Sequence, residues 1–219
     1  MEGATETFFP LSARPGEVAQ DVSHRLGELL RSSGVVDLCS LALQPGRAAW
    51  CLHVDVYCLN DDGALLDTAL LACLGALGTT VLPALWLTPQ GRLTALSPQG
   101  GAGSEAASSE APPASLLCPA RPLALRSLPC ALTVGLYRGH TLVDPSREEQ
   151  ALAQALVTCA VDAQGKLLAL HKPGGEACAS LKALLHCAAA AKLRHEDARR
   201  ALLAAGVRLE DEEAAACGV

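Results

Sequence analysis

Four aspartates, Asp55, Asp61, Asp62 and Asp67, crowd the stretch from Ala48 to Thr79 and are the first residues to weigh as chemistry. Asp55 stands between Val54 and Val56 in an apolar, β-rich run, 48–59, that reads as a buried strand. An ionised carboxylate inside a sheet is costly unless paired, so Asp55 is a candidate catalytic acid. A solvent-facing Asp55 accounts for the same residue and is favoured, because perturbed carboxylates also serve structural pairs. Asp61 and Asp62 belong to the turn Asn60-Asp61-Asp62-Gly63, and Asp67 to the first turn of the helix after it. Carboxylates there are stabilised by free amides and the helix dipole, and a divalent-ion site needs further oxygens from elsewhere.

Two other groups have chemical potential. His171-Lys172-Pro173-Gly174-Gly175 ends a strand ahead of the last helix, where a glycine-rich turn can hold an anion. It lacks either glycine spacing used for nucleotides and reads as an ordinary turn. Lys192, Arg194, Arg199, Arg200 and Arg208 interleave with Glu196 and Asp197 along that helix, the pattern of a solvated face rather than an RNA-facing stripe. No nucleophile elbow, HExxH or Cys–His pair occurs. His186 and Cys187 are adjacent and cannot converge on one ion, so no metal or cofactor is expected.

The elements that carry these residues alternate in kind. Residues 17–31 predict a helix with Val18, Val22, Leu26, Leu29 and Leu30 on one face. Strands follow at 35–43 and 48–59. Leu65, Leu66, Ala69, Leu70, Cys73, Leu74 and Leu77 then recur as a broad helical face over 65–78. A strand is expected at 81–88. Residues 97–120, rich in Pro, Gly, Ser, Ala and Glu, read as a disordered surface insertion. Beyond it come strands at 122–126, 131–137, 140–143, 152–161 and 166–171. Asp162-Ala163-Gln164-Gly165 makes a hairpin between the last two. A final helix is expected over about 178–207, with an acidic flexible tail at 209–219. Helices packed on a run of strands give an α+β domain with a mixed sheet.

Bulk properties agree. Half of the 219 residues are hydrophobic but only 3% are aromatic, so the core is built from Leu, Ala and Val. A net charge of −6 argues against a protein that coats nucleic acid all over. The ten cysteines, Cys51, Cys58, Cys73, Cys159 and Cys187 among them, sit in apolar runs without a CxxC pair or an apolar leader. That favours reduced, mostly buried thiols. The apolar stretch 64–87 is too interrupted to span a membrane.

The run VDVYCLNDDGALLDTALLACLGAL resembles the RNase PH family in its exosome-ring branch. In that family a strand carrying an aspartate meets a D-G-x-x-x-D turn that opens the helix. PGEVAQDVSHRLGELL (15–30), TLVDPSREEQ (141–150) and GKLLALHKPGG (165–175) agree with it in order. The resemblance implies an RNase PH-like, ribosomal protein S5 domain 2-like fold. Residues 8–96 and 121–208 would form one partial domain, with the family's N-terminal β-rich half expected to be missing and apolar surface left exposed.

The resemblance also assigns roles. Active phosphorolytic members carry an acid pair in the stretch matched by VDPSREEQ. Here the first position is Asp144 and the second is Gln150, and an amide cannot act as general acid or anionic metal ligand. Arg14 matches the phosphate-binding arginine, although Pro15-Gly16 alter its loop. The implied role is a catalytically inactive subunit of the RNA exosome ring, supporting 3′-to-5′ RNA processing. Its partners would be other RNase PH-like subunits, S1/KH cap subunits and single-stranded RNA threading the ring, with Arg14, Arg25 and Lys172 as RNA-near groups. The implied location is nucleus, nucleolus and cytoplasm, with no membrane. An active phosphorolytic exoribonuclease and a truncated product that does not assemble are the alternatives.

Overall fold

In a computed structural model the structure describes residues 16–44, 46–87, 93–95, 116–173, 175 and 179–210. The sheet with the most strands among the described residues is four-stranded and antiparallel, in the order β11-β10-β8-β9, formed by β8 (Cys130–Tyr137), β9 (His140–Val143), β10 (Ala155–Val161) and β11 (Leu167–His171); β1 to β7 are shorter and precede it. The strand β8 is almost wholly buried, which its continuous apolar text requires of a strand covered on both faces. Strand periodicity sorts its side chains. Leu132, Val134 and Leu136 join Val157, Cys159 and Val161 of β10 on one face, under Cys187 and Ala191 of α4 (Leu181–Ala204). Ala131 and Ala160 point to the other face, where Leu70, Leu74 and Leu77 of α2 (Leu65–Gly78) and Leu26 and Leu29 of α1 (Glu17–Ser32) complete a second cluster. The sheet is therefore held between α4 and α2.

Smaller pieces surround this layer. β1 (Ala42–Gln44) pairs with β2 (Ala48–Ala49), and β3 (Val81–Leu82) with β7 (Arg121–Pro122). β4 (Leu85–Leu87) lies between β5 (Leu93–Ala95) and β6 (Leu116–Cys118). Every named strand pair is antiparallel, and the parallel component of the expected mixed sheet is an isolated bridge between Leu125 and Leu209.

Several expectations are corrected. The strand expected at 48–59 is regular only at Ala48–Ala49. Trp50 still donates to Leu41 O at 2.8 Å, but residues 51–59 make no backbone–backbone hydrogen bond among the described residues. Trp50, Leu52 and Val54 rest on the core, whereas Val56, Tyr57 and Leu59 are exposed, so this run is not buried. In place of a strand over 35–43, Asp37 caps a 3₁₀ turn, Leu38–Leu41, because its carboxylate can accept from Cys39 N. Pro83 lacks the donor a continuous ladder needs, and it splits the strand expected at 81–88 into β3 and β4.

The strand expected from 152 starts at Ala155, because Arg147–Leu152 forms a short helix, α3, with a Ser146–Glu149 capping box. Most of the 97–120 insertion lies outside the described residues, yet its end, 116–118, is strand. Leu209 and Glu210, expected in the flexible tail, are tied to the fold. Leu209 bridges Leu125, and Glu210 N donates to Leu125 O at 3.1 Å; residues 211–219 are outside the described set. Cys51, Cys58 and Cys39 are exposed rather than buried, while Cys73, Cys130, Cys159 and Cys187 are buried; all are free thiols. No helix among the described residues is long and apolar enough to cross a membrane.

Candidate functional site

The acidic corner forms where the first turn of α2 meets the end of the β8–β9 ladder. Val143 is the last residue of β9 and pairs with Val134. Asp144 follows in a left-handed conformation, φ 54°, and its N–H still reaches Thr133 O at 3.1 Å. Beyond that bond the chain turns away, so the N–H of Thr133 has no strand partner on that side. The Asp67 carboxylate takes it instead, accepting from Thr133 N at 2.5 Å and from Thr133 Oγ1 at 3.1 Å. Thr133 Oγ1 in turn lies 2.9 Å from Thr158 Oγ1 on β10. Burial raises the Asp67 carboxyl to about 6; the Thr133 bonds oppose the rise, the Asp144 charge adds to it and Arg194 counters it.

A second contact locks the two family-like segments together. Gly63, φ 96°, ends the acidic turn so close to the next segment that a Cβ there would meet Gln150 Nε2 at 2.5 Å and Pro145 O at 2.6 Å. Arg147 N donates to Asp62 O at 3.0 Å, and the Arg147 guanidinium lies 3.8 Å from Asp61. The Gln150 carboxamide donates to Pro145 O at 3.0 Å. Asp144 and Gln150 are thus brought onto one loop. However, Gln150 closes that loop as a donor, which an ionised carboxylate cannot do.

The corner explains what its acids do. Asp67 has a carboxyl in the range useful for proton transfer, but its oxygens are engaged by Thr133 and complete a strand edge. Asp55 is exposed, as its solvent-facing reading required. No cluster of three or more His, Cys, Asp or Glu side chains placed to hold a metal occurs among the described residues.

Arg25 lies apart from this corner. With Glu28 and Arg31 it lines one wall of a cleft of about 640 Å³ between α1 and the β10–β11 pair, whose lining includes Thr158, Leu168 and His171. Arg25 is held by Asp21, at 2.7 Å from Nη2 and 2.8 Å from Nε. Lys172, next to His171, is half-buried and reaches Gly175 O at 3.4 Å. Gly175, φ 93°, packs where a Cβ would fall 2.4 Å from Gln154 O, so Gly175 is pinned to the start of β10. Arg14 lies outside the described residues.

Sequence reasoning missed the tie from Asp67 to Thr133, for which a polar residue inside the apolar text of β8 was the available signal. It also missed Arg31 and His171 as cleft residues. His171 Nε2 is buried without a hydrogen-bond partner among the described residues, and nothing in its sequence context marks that.

A helix-backed antiparallel sheet, entered through an acidic turn and helix and closed by a long final helix, defines an α+β module of the RNase PH type. Two models agree: the 3′ exoribonuclease family, domain 1, matches residues 3–83, and domain 2 of the same family matches residues 127–193. The chain belongs to that family. It is similar to exosome complex component RRP45A of Arabidopsis thaliana, 31% identical over 84% of this chain and 55% of that protein. It is also similar to exosome complex component rrp43 of Schizosaccharomyces pombe, 30% identical over 74% of this chain and 53% of that protein. The chain spans about half the length of the curated relatives it matches. Among solved structures, it resembles the Archaeoglobus fulgidus exosome with RNA bound to the active site, with a TM-score of 0.65 and 26% identity over 89% of this chain and 64% of that one.

Proposed function

We propose that this chain is a non-catalytic subunit of an RNA exosome ring, contributing interfaces and a share of the RNA path to 3′-to-5′ RNA processing. Its relatives are exosome components, which supports the assembly. The observation that carries the loss of chemistry is Gln150. Its amide stands at the second position of the acid pair implied by the family resemblance and is committed as a donor to Pro145 O. Asp144 remains, but alone it offers neither a paired acid nor a metal cradle. The HKPGG turn (171–175) leans the reading toward the ring subunit called ribosomal RNA-processing protein 43. The working location of such a complex would be nucleus, nucleolus and cytoplasm.

RNA contact would come from sequence-independent electrostatics along the ring. Arg25 is a weak candidate because Asp21 already neutralises it, and the Lys172 ammonium is engaged with Gly175 O. Co-expression with RNase PH-like and S1/KH cap subunits tests the proposal. Stoichiometric co-purification with no phosphate-dependent release of nucleoside diphosphates from this subunit is the expected result. Failure to enter the ring defeats the assembly reading. Phosphorolysis that depends on this chain defeats the inactive reading.

A further inference from the structure

A polar row crosses the four-stranded sheet. Thr133 of β8 stands opposite Thr158 of β10, and Thr158 stands opposite His171 of β11. Residues directly opposite in an antiparallel pair share a face, so these three lie with Ala131 and Ala160 on the side of α1 and α2. Asp67 of α2 closes one end of the row, and the bonds from it are continuous. Thr133 Oγ1 lies 3.1 Å from Asp67 Oδ1 and 2.9 Å from Thr158 Oγ1. At the other end Thr158 and His171 both line the cleft between α1 and the β10–β11 pair. Opposed side chains start about 4.5–5.5 Å apart at Cβ, within reach of a hydroxyl and an imidazole directly or through one water. The row is complete within α2, β8, β10 and β11, whatever else covers this face of the sheet.

We propose that Asp67, Thr133, Thr158 and His171 form a hydrogen-bond relay that sets protonation at Asp67 against protonation at His171. Each hydroxyl has one proton to give. With Asp67 ionised, its oxygens only accept. The Thr133 hydroxyl donates to Oδ1, the Thr158 hydroxyl donates to Thr133 Oγ1, and Thr158 Oγ1 is left as an acceptor toward the imidazole. That arrangement favours a ring nitrogen that donates, and so the imidazolium. When Asp67 takes a proton, Oδ2 still accepts from Thr133 N and the new O–H forms at Oδ1. It donates to Thr133 Oγ1, the Thr133 hydroxyl turns to Thr158 Oγ1, and the Thr158 hydroxyl turns to the imidazole. Each hydroxyl keeps its own proton, and the only bond made is the O–H of Asp67. A donor at Thr158 favours the neutral ring, whose bare nitrogen accepts. Burial raises the Asp67 carboxyl to about 6, inside the range in which an imidazole changes charge. Asp144, Arg194 and the Cys130 and Cys159 thiols also face Asp67, and Arg25, Glu28 and Arg31 of α1 line the cleft with His171. Those groups act through space, so a cut in the row separates their effect from the relay.

NMR titration of the full chain, following the His171 ring, tests the relay. Asp67→Asn freezes the protonated arrangement, because the amide oxygen accepts from Thr133 N and the NH₂ group donates to Thr133 Oγ1. It is expected to weaken proton binding at His171 at least about threefold. Thr158→Val cuts the row in the middle with little change of shape. In that background the same Asp67→Asn substitution is expected to have under about a twofold effect. Thr158→Ser keeps the hydroxyl and should keep the full effect. Should the amide spectrum show the valine variant misfolded, Thr158→Ala makes the same cut. An Asp67→Asn variant whose His171 titrates as in the native chain overturns the proposal. An effect of equal size in the cut background overturns it too, because the coupling then runs through space.

Discussion

The Asp67 carboxylate occupies the hydrogen-bonding position that β9 vacates beside Thr133, accepting from its N–H at 2.5 Å and its hydroxyl at 3.1 Å. A group raised from 3.8 to about 6 by burial binds its proton more tightly folded than unfolded. The stability it supplies is therefore fully present below about pH 4 and is lost as pH rises through about 6. That loss is on the order of 2 kcal/mol. Asp67→Asn keeps an oxygen for the Thr133 amide and removes the titration. Groups not coupled to Asp67 titrate alike in both proteins, so the difference in unfolding free energy between native and variant should change by about that amount from pH 4 to pH 7.5. A difference that is flat with pH would remove Asp67 from this role.

Gly63 and Gln150 give a second prediction, about the fit between the acidic turn and the β9–α3 loop. An added methyl at Gly63 meets Pro145 O at 2.6 Å and Arg147 N at 3.0 Å, backbone atoms that cannot swing aside. It also strains a residue at φ 96°. Gly63→Ala should cost about 2–4 kcal/mol in denaturant unfolding. Gln150→Asp replaces the donor to Pro145 O with an acceptor and should cost about 1–3 kcal/mol in the same assay. Gain of phosphate-dependent RNA decay in that variant would mean the acid pair was the missing part.

What was legible in the chain follows from how local each cause is. The helix α2 was readable because its apolar spacing reports one buried face, and β8 because both of its faces are covered. α3 was not, since six residues cannot show a period, although Ser146 and Glu149 spell its capping box. The strand expected over 48–59 failed for the opposite reason. Its alternation is real at 50–55, but ladder bonds depend on a neighbour that local text does not reveal. Asp67 had an adequate local account as a helix-start acid, and its real partner is 66 positions away. Gln150 was legible as a lost acid but not as a loop-closing donor.

Thiol reactivity separates the surfaces of the fold. Burial pushes the Cys130 and Cys159 thiols up to about 11 and raises Cys73 and Cys187 as well, while Cys39 and Cys58 are exposed. The thiolate is the reacting species and burial also blocks access, so at pH 8 the exposed Cys39 and Cys58 should alkylate well ahead of the buried four. Peptide mass spectrometry over a time course of iodoacetamide treatment measures this. Uniform rates would mean that the α4-covered face of the sheet is open.

His195 carries the last prediction. It is buried on α4, 5% exposed, and its Nε2 lies 2.8 Å from Leu128 O in the segment leading into β8. A carbonyl only accepts, so Nε2 carries the proton and donates it. The bond ties α4 to the entry of β8 between Ala191, under the sheet, and Leu202, on the α2 side. His195→Phe fills the space but strands a buried carbonyl, for which the cost is about 1–3 kcal/mol. His195→Gln retains a donor near that height and should recover part of the loss. Urea unfolding of the two variants beside the native chain distinguishes a hydrogen-bonding role from simple packing. If the phenylalanine variant is as stable as the native chain, the contact is packing alone. A glutamine variant that recovers stability where phenylalanine does not assigns it to the bond.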